Sequence, residues 1–393
     1  MTTPTPTDRL HALDALRAGA LLLGIVLHGV VPFLPSAAEN GAVLVDSSPS
    51  EALNDLYLFI HLFRMPLFFM MAGFFARMAL ERKGAASFAA DRVRRIAIPF
   101  LLGCVLINPI GGWIFSWVVE REGRPPREPW YPEGSVLLYP MSHLWFLWML
   151  LLLYAAAIVL RWLMTRIVDR KGRLLPLADG LLRVLFTQPV GAIILGLPVA
   201  AALYTYKYWW VSLGIPTPDY SLVPHTPAIT GFGLAFGVGW LLHRQKGLLD
   251  LLARDWIINL PAALLFTLGC VMIAGTGFAA TVAEEPSRRA YAVCYGAAAW
   301  YWIFTLTGAA MRFLSTPNRV IRYVADASYW MYLWHVPLLL ALQAWVMHLE
   351  WHWSVKVPVI LIVTSLLLLL TYQLLVRHTV IGWLINGTRK PRP

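Results

Sequence analysis

The sequence predicts an all-α, polytopic integral membrane protein with about ten transmembrane helices and both termini on the cytoplasmic side. Three observations predict this fold class: the composition, the apolar runs of membrane-spanning length, and the placement of the basic residues. Of 393 residues, 59% are hydrophobic and only 13% are charged, whereas soluble domains carry about 25% charged residues. The 18 tryptophans and 15 tyrosines are typical of aromatic belts at two membrane interfaces. These observations exclude a water-soluble protein.

Apolar runs give the predicted helices, since about 20 apolar residues are needed to cross a bilayer as a helix. The runs are 12–34, 53–78, 97–119, 141–163, 188–211, 226–243, 256–278, 289–313, 326–347 and 355–377. We therefore expect a single membrane domain over residues 1–393. Flexible tails of about 11 residues at the N-terminus and about 15 at the C-terminus complete it.

The basic residues lie mostly in alternate short loops, although the formal net charge of +11 could by itself suggest nucleic acid. Alternation is the positive-inside pattern of membrane proteins, and it places both termini in the cytoplasm. We therefore expect a lipid bilayer as partner and no nucleic acid. The three cysteines lie apart in apolar runs, so the sequence predicts no disulfide framework and no metal site.

The first run, DALRAGALLLGIVLHGVVPF, contains Asp14, Arg17 and His28. Eleven helical steps bring His28 back to the face of Arg17, about 16 Å along the axis, and Asp14 lies one turn before Arg17, where it can pair with it. Ionisable groups in membrane helices normally face a bundle interior or a wet cavity. This face is predicted to line a reaction site. Alternatively, Arg17 is an interfacial anchor and His28 a packing residue.

The second run, LNDLYLFIHLFRMPLFFMMAGFF, carries His61 and Arg64 one turn apart, followed by Pro66. An arginine several residues inside a span is hard to explain as an anchor. It is predicted either to act in a site or to form a structural ion pair with Asp14 or Asp326.

Arg92 and Arg95 form an Arg-x-x-Arg pair before the third run. Two guanidinium groups on one helix face suit a multiply phosphorylated ligand at the inner surface, and they equally suit anionic lipid headgroups. His143, in SHLWFLWMLLLLY, is a site residue or part of an interfacial belt. His335, in DASYWMYLWHVPLLL, is a second catalytic element or a structural hydrogen-bonding group.

Arg17-x10-His28 and Arg92-x-x-Arg95 together resemble the two signature motifs of the integral-membrane acyltransferase-3 family. The stretches FIHLFRMPLFFMMAGFF, SHLWFLWMLLLLY and DASYWMYLWHVPL resemble, more narrowly, a subgroup that adds succinyl groups to osmoregulated periplasmic glucans. One departure is the Met-Ala before Gly73, where relatives usually have a serine. The middle runs match only in hydropathy.

The resemblance implies acyl transfer from a cytoplasmic acyl-CoA, most specifically succinyl-CoA, to hydroxyls of a periplasmic glucan at the bacterial inner membrane. It implies that Arg92 and Arg95 hold the CoA phosphates. His28 would then be the general base or an acyl-accepting nucleophile, with Asp14 or Arg17 orienting and anchoring. His61, Arg64, His143 and His335 would serve the acyl group, the oxyanion or the acceptor.

Two alternatives stay open from the sequence. One is an O-acetyltransferase of lipopolysaccharide or another surface glycan. The other is a transporter with a buried His/Arg path, although the inverted repeats and paired broken helices of many transporters are not visible. The sequence also leaves a homodimer open.

Overall fold

The computed structural model describes residues 6–35, 37, 42, 44–123, 136–277, 281–282 and 285–387. Within these residues the chain forms α-helices joined by short 3₁₀ turns and π-helical segments. They contain no strand, and a single isolated bridge joins Leu138 to Ser221. The prediction of an all-α fold is confirmed. The ends of the expected tails, residues 1–5 and 388–393, lie outside the described part of the chain.

The helices, in chain order, are α1 (Pro6–Val30), α2 (Glu51–Lys83), α3 (Ala85–Arg92), α4 (Ile98–Leu102), α5 (Asn108–Glu122), α6 (Trp145–Leu163), α7 (Leu174–Thr187), α8 (Gly191–Tyr204), α9 (Thr226–Leu242), α10 (Gly247–Ala274), α11 (Glu285–Phe313), α12 (Arg319–Val346), α13 (Trp353–Thr371) and α14 (Val380–Asn386). Every predicted span coincides with helical structure. Helix α14 lies in the stretch that the sequence assigned to a tail.

Six helical stretches in the described residues are long and apolar enough to cross a membrane. There are seven if α7 and α8, bent by 107°, form one broken span. Helix α9 has only 17 residues and is not among these stretches. Helices α11 and α12, with 29 and 28 residues, are long enough to cross a membrane, but they are not apolar enough to be counted. The chain is a multi-pass membrane protein by this measure, and the count of ten spans stays a prediction.

Helices α11 and α12 are less apolar because their side chains meet other helices rather than lipid. Helix α11 packs against α10, α8, α2 and α1, and it buries large aromatic side chains such as Tyr291, Tyr295 and Trp300. Helix α12 packs against α1 and α13. A protein-facing helix tolerates polar groups that lipid would not, and α12 carries one of the predicted site residues, His335.

Prolines interrupt two of the helices beside the predicted site residues. Pro66 lies inside α2, two residues after Arg64, and Pro337 lies inside α12, two residues after His335. A proline has no backbone N–H, so the carbonyl four residues earlier loses its helical partner. In α12 this frees the carbonyl of Leu333 for a side chain from elsewhere.

Candidate active site

A cavity of about 430 Å³ lies among α1, α2, α6 and α12, a volume that suits a small-molecule ligand. One end is lined by the cations Arg82, Lys83, Arg92 and Arg95. The other end is lined by Arg64 together with His28, His143 and His335. Arg64 and Arg82 both lie on α2, eighteen residues apart, which corresponds to about 27 Å along the helix. The cavity therefore connects the expected cytoplasmic surface with the interior of the helix bundle.

Helix α1 contributes Arg17 and His28 to this cavity, as their shared helix face predicts. The Arg17 Nη2 atom lies 3.1 Å from Asp14 Oδ1 and donates to the Ala325 carbonyl at 3.2 Å. Arg17 is thus held by its own helix and by α12. His28 is half-buried, and its accessible surface faces the cavity.

The outer end of α1 is held by Gln343 on α12. Its Nε2 donates to the carbonyls of His28 and Gly29 at 2.9 and 3.1 Å. The last carbonyls of a helix have no partner within that helix. Gln343 supplies one, and in doing so it fixes the backbone that carries the His28 imidazole.

Three imidazoles form a row at the end of the cavity that lies inside the helix bundle, beside Arg64. The ring centroids of His28 and His335 lie 5.3 Å apart, and those of His335 and His143 lie 5.2 Å apart. His143 Nε2 donates to the Leu333 carbonyl at 3.0 Å, which is the carbonyl that Pro337 leaves without its helical partner. His335 Nδ1 donates to the Tyr332 carbonyl at 2.6 Å.

These hydrogen bonds determine which nitrogen of His143 and of His335 carries the proton. A carbonyl oxygen only accepts, so Nδ1 of His335 and Nε2 of His143 must carry the proton when the rings are neutral. Nε2 of His335 is then left with a lone pair. No group of three or more His, Cys, Asp or Glu side chains suited to holding a metal ion occurs in the described part of the chain.

Arg64 is a cation without an acid. Among the described residues no ion pair or hydrogen bond reaches its guanidinium, and its Nε is buried without a partner. Gly24, on α1, makes room for it, since a Cβ at that position would overlap the Arg64 Nη1 atom. An uncompensated cation inside a membrane protein is costly, so this position favours an anionic ligand.

Three of the cations at the other end of the cavity, together with Arg94, surround one carboxylate, Asp91, which is 8% exposed. Its oxygens lie 3.1 Å from Lys83 Nζ, 2.7 Å from Arg92 Nη2, 3.3 Å from Arg94 Nη2 and 3.6 Å from Arg95 Nη1. Four cations with one acid leave a positive excess. Such a cluster suits a ligand with several phosphate charges.

The two arginines of the Arg-x-x-Arg pair are held differently. Arg92 lies between two aromatic rings, 5.0 Å from the centroid of Phe88 and 5.2 Å from that of Tyr154. Arg95, on the π-helical segment Val93–Ala97, donates from Nε to the Ile385 carbonyl at 3.2 Å. Both guanidinium groups are therefore oriented before any ligand binds.

The structure brings most of the predicted site residues into one cavity wall: Arg17, His28, Arg64, Arg92, Arg95, His143 and His335. Two others are not in that wall. Asp14 lies behind Arg17 as its ion-pair partner. His61 is turned toward Tyr57, donating from Nδ1 to the Tyr57 carbonyl at 2.9 Å, with the two rings 4.3 Å apart. Although His61 lies one turn from Arg64, its ring does not enter the cavity, because it is hydrogen-bonded to the backbone of its own helix.

Several residues of the wall were missed by the sequence analysis. Tyr332 and Tyr329 precede His335 at steps of three on α12, and their hydroxyls donate to the carbonyls of His143 at 2.6 Å and Arg95 at 2.8 Å. That spacing is a signal the sequence contains. Asp91, adjacent to Arg92 in the sequence, was also missed; it contacts the wall residues Arg92 and Arg95 without lining the cavity itself. Asn386 carries no sequence signal, since only the fold brings α14 to the cavity.

Comparison with known proteins gives one family. The family model Acyl_transf_3, described as an acyltransferase domain, matches residues 10–373. Proteins named glucans biosynthesis protein C from Salmonella paratyphi B, Salmonella dublin and Salmonella enteritidis are 32% identical over 182 residues, 46% of this chain and 46% of each relative. The chain thus spans about half the length of the curated relatives it matches. No solved structure matches it.

Proposed function

The chain belongs to the acyltransferase-3 family, and we propose that it transfers an acyl group from a cytoplasmic acyl-CoA to a hydroxyl group of an extracytoplasmic glycan. The observation that carries this proposal is the single cavity shared by the cation cluster at Arg92 and Arg95 and by His28. Phosphates bound at the cations would leave the pantetheine arm to run along α1. The span of about 16 Å from Arg17 to His28 is on the scale of that arm.

The reaction needs a base that removes the proton of the acceptor hydroxyl as it attacks the thioester carbonyl. His28 accepts the proton of the acceptor hydroxyl while the hydroxyl oxygen forms a bond to the thioester carbon. The carbon–sulfur bond then breaks, and the departing sulfur takes the proton from the imidazolium, giving an ester and free coenzyme A. An alternative route has His28 attack first and carry the acyl group. Release of coenzyme A without acceptor, in a burst equal to the enzyme, distinguishes the second route.

More specifically, we propose succinyl-CoA as donor and a periplasmic glucan as acceptor, at the bacterial inner membrane. The name of the relatives refers to glucan biosynthesis, and the unpaired Arg64 supports a dicarboxylic acyl group. A succinyl thioester ends in a free carboxylate, and a guanidinium binds a carboxylate through two parallel hydrogen bonds. An acetyl group offers Arg64 no such partner.

The test uses the full chain purified in detergent, with succinyl-CoA and a periplasmic glucan. We expect release of free coenzyme A and a glucan whose mass increases by one succinyl group per ester. His28→Ala should lower kcat by about 10²- to 10⁴-fold while its thermal unfolding stays close to that of the wild type. Acetyl transfer to lipopolysaccharide in place of succinyl transfer would overturn the specific proposal. If no glycan leads to release of coenzyme A, the proposed acyltransferase activity is wrong and a transport function is favoured.

A further inference from the structure

Helix α14 closes one side of the cavity at its cationic end. Ile385 and Asn386 line the cavity together with Arg92 and Arg95. The helix has only seven residues, too few to be stable alone in water, so its contacts with the rest of the protein hold it in place.

Two of those contacts are made by the arginine-rich segment. Arg94 places its guanidinium 4.5 Å from the centroid of the Trp383 ring, and Arg95 Nε donates to the Ile385 carbonyl at 3.2 Å. The C-terminal end of a helix carries partial negative charge on its free carbonyls, so it attracts a cation. Since Arg95 Nη1 also lies 3.6 Å from Asp91, α14 and Asp91 together orient the Arg95 guanidinium.

Asn386 connects α14 to two further helical segments. Its Nδ2 donates to the Asp326 carbonyl on α12 at 3.1 Å and to the Tyr372 hydroxyl at 3.3 Å. With both N–H groups used in this way, its Oδ1 is the remaining polar atom, and no described residue donates to it. An amide oxygen at a cavity wall can accept from a ligand N–H group.

We propose that α14 is part of the donor site and recognises the adenosine end of acyl-CoA, an inference that rests on the proposed function. The cations hold the phosphates, and the base next to them meets the Oδ1 of Asn386. The exocyclic amine of adenine supplies the N–H group that this oxygen accepts. The pantetheine arm and the acyl group lie farther along the cavity and do not contact α14.

The test compares three purified chains: the full chain, a chain ending at Gly387, and a chain ending at Thr379. The second keeps α14 and is the matched control, while the third lacks it. We expect the Kd for free coenzyme A to rise about tenfold, as for loss of one or two hydrogen bonds to charged or polar groups, only in the chain ending at Thr379. Equal weakening in both truncations would overturn the assignment to α14. If the full chain does not bind coenzyme A, the proposed function itself fails.

A second measurement separates a role in binding the nucleotide end of the donor from a general role in the stability of the fold. S-succinylpantetheine lacks the phosphates and the adenosine, so loss of α14 should raise KM for succinyl-CoA and leave KM for S-succinylpantetheine unchanged. Equal increases for the two donors would contradict the proposal. Asn386→Cys, in the full chain, should be labelled by a maleimide and protected by succinyl-CoA, whose thioester sulfur does not consume the reagent, whereas Lys171→Cys, on an exposed turn, should be labelled at the same rate with or without it. Unprotected labelling at position 386 would also overturn the proposal.

Discussion

At the scale of single residues, His335 is the group best placed to act through His28. Its Nδ1 proton is committed to the Tyr332 carbonyl, so its Nε2 lone pair is available to a neighbour. We propose that His28, whose ring centroid lies 5.3 Å away, is the neighbour that donates to it. An imidazole whose N–H is accepted by a second group is held in one tautomer and becomes a better base. We therefore treat His335 as a positioning residue for His28.

His335→Ala is expected to lower kcat about 100-fold, the lower end of what positioned proton transfer contributes, and to leave KM for the donor unchanged. The reason is that the phosphates of the proposed donor would bind the cations at the other end of the cavity. His335→Gln, which can place an oxygen where Nε2 accepts, should recover part of the rate. Steady-state kinetics on both variants check this. A raised KM at unchanged kcat would contradict a positioning role.

Arg64 provides the test of donor specificity. Arg64→Ala should reduce succinyl transfer at least about tenfold more than acetyl transfer, since only the succinyl donor loses a charged hydrogen-bonding partner. Arg17→Ala is the matched control, because Arg17 is a cation of the same cavity that already has Asp14 as partner. Arg17→Ala should affect both donors equally. Equal losses on both donors in Arg64→Ala would remove the role proposed for that residue.

Asp91 offers a prediction about charge balance at the donor end. Asp91→Asn removes the carboxylate that pairs with cations such as Lys83 and Arg95. Because these cations then repel one another, the variant should unfold at a lower temperature than the wild type. A polyanion that neutralises those cations should stabilise the variant more than the wild type. Thermal unfolding with and without coenzyme A checks this, and a smaller ligand-induced shift in Asp91→Asn would contradict it.

At the scale of helices, α2 and α9 pack at backbone contact through two glycines. A Cβ on Gly73 would overlap the Phe236 carbonyl oxygen, and a Cβ on Gly239 would overlap the Met70 carbonyl oxygen. Small residues allow membrane helices to approach closely. This contact matters for the site because α2 carries Arg64.

Gly239→Ala should force α2 and α9 apart and lower the free energy of unfolding by about 1 to 3 kcal/mol, as for other overpacked interiors. Gly237→Ala is the control on the same helix, since a Cβ there would meet no atom within 4 Å. We expect Gly237→Ala to unfold at the wild-type temperature or slightly above it. Thermal unfolding of the two purified variants decides, and equal behaviour would contradict the packing argument.

At the scale of the whole molecule, a buried ion pair connects parts of the chain that are far apart in sequence. Lys356 Nζ lies 2.7 Å from Asp46 Oδ2, and both side chains are 0% exposed. Lys356 also donates to the Met347 carbonyl at 3.3 Å, and the Trp353 amide donates to Ser48 Oγ at 3.2 Å. These contacts hold the segment after α1 against the junction of α12 and α13.

Lys356→Met leaves Asp46 buried without its cation, so it should lower the free energy of unfolding by about 3 to 5 kcal/mol. The double variant Asp46→Asn with Lys356→Met removes both charges and should recover much of that loss. Arg254→Met, at a pair whose arginine is 74% exposed, should cost at most about 1 kcal/mol. Denaturation in detergent measures all three, and a double variant no more stable than Lys356→Met would contradict the argument.

The sequence by itself determined the features that act within one helix. The membrane class followed from apolar runs, and the shared face of Arg17 and His28 followed from helical periodicity, because both depend only on local spacing. Tertiary structure decided which residues of different helices meet. It placed the His335 ring next to both His28 and His143, left His61 against Tyr57, and brought Asn386 to the cavity. Those contacts depend on how distant helices pack, and no local spacing contains that information.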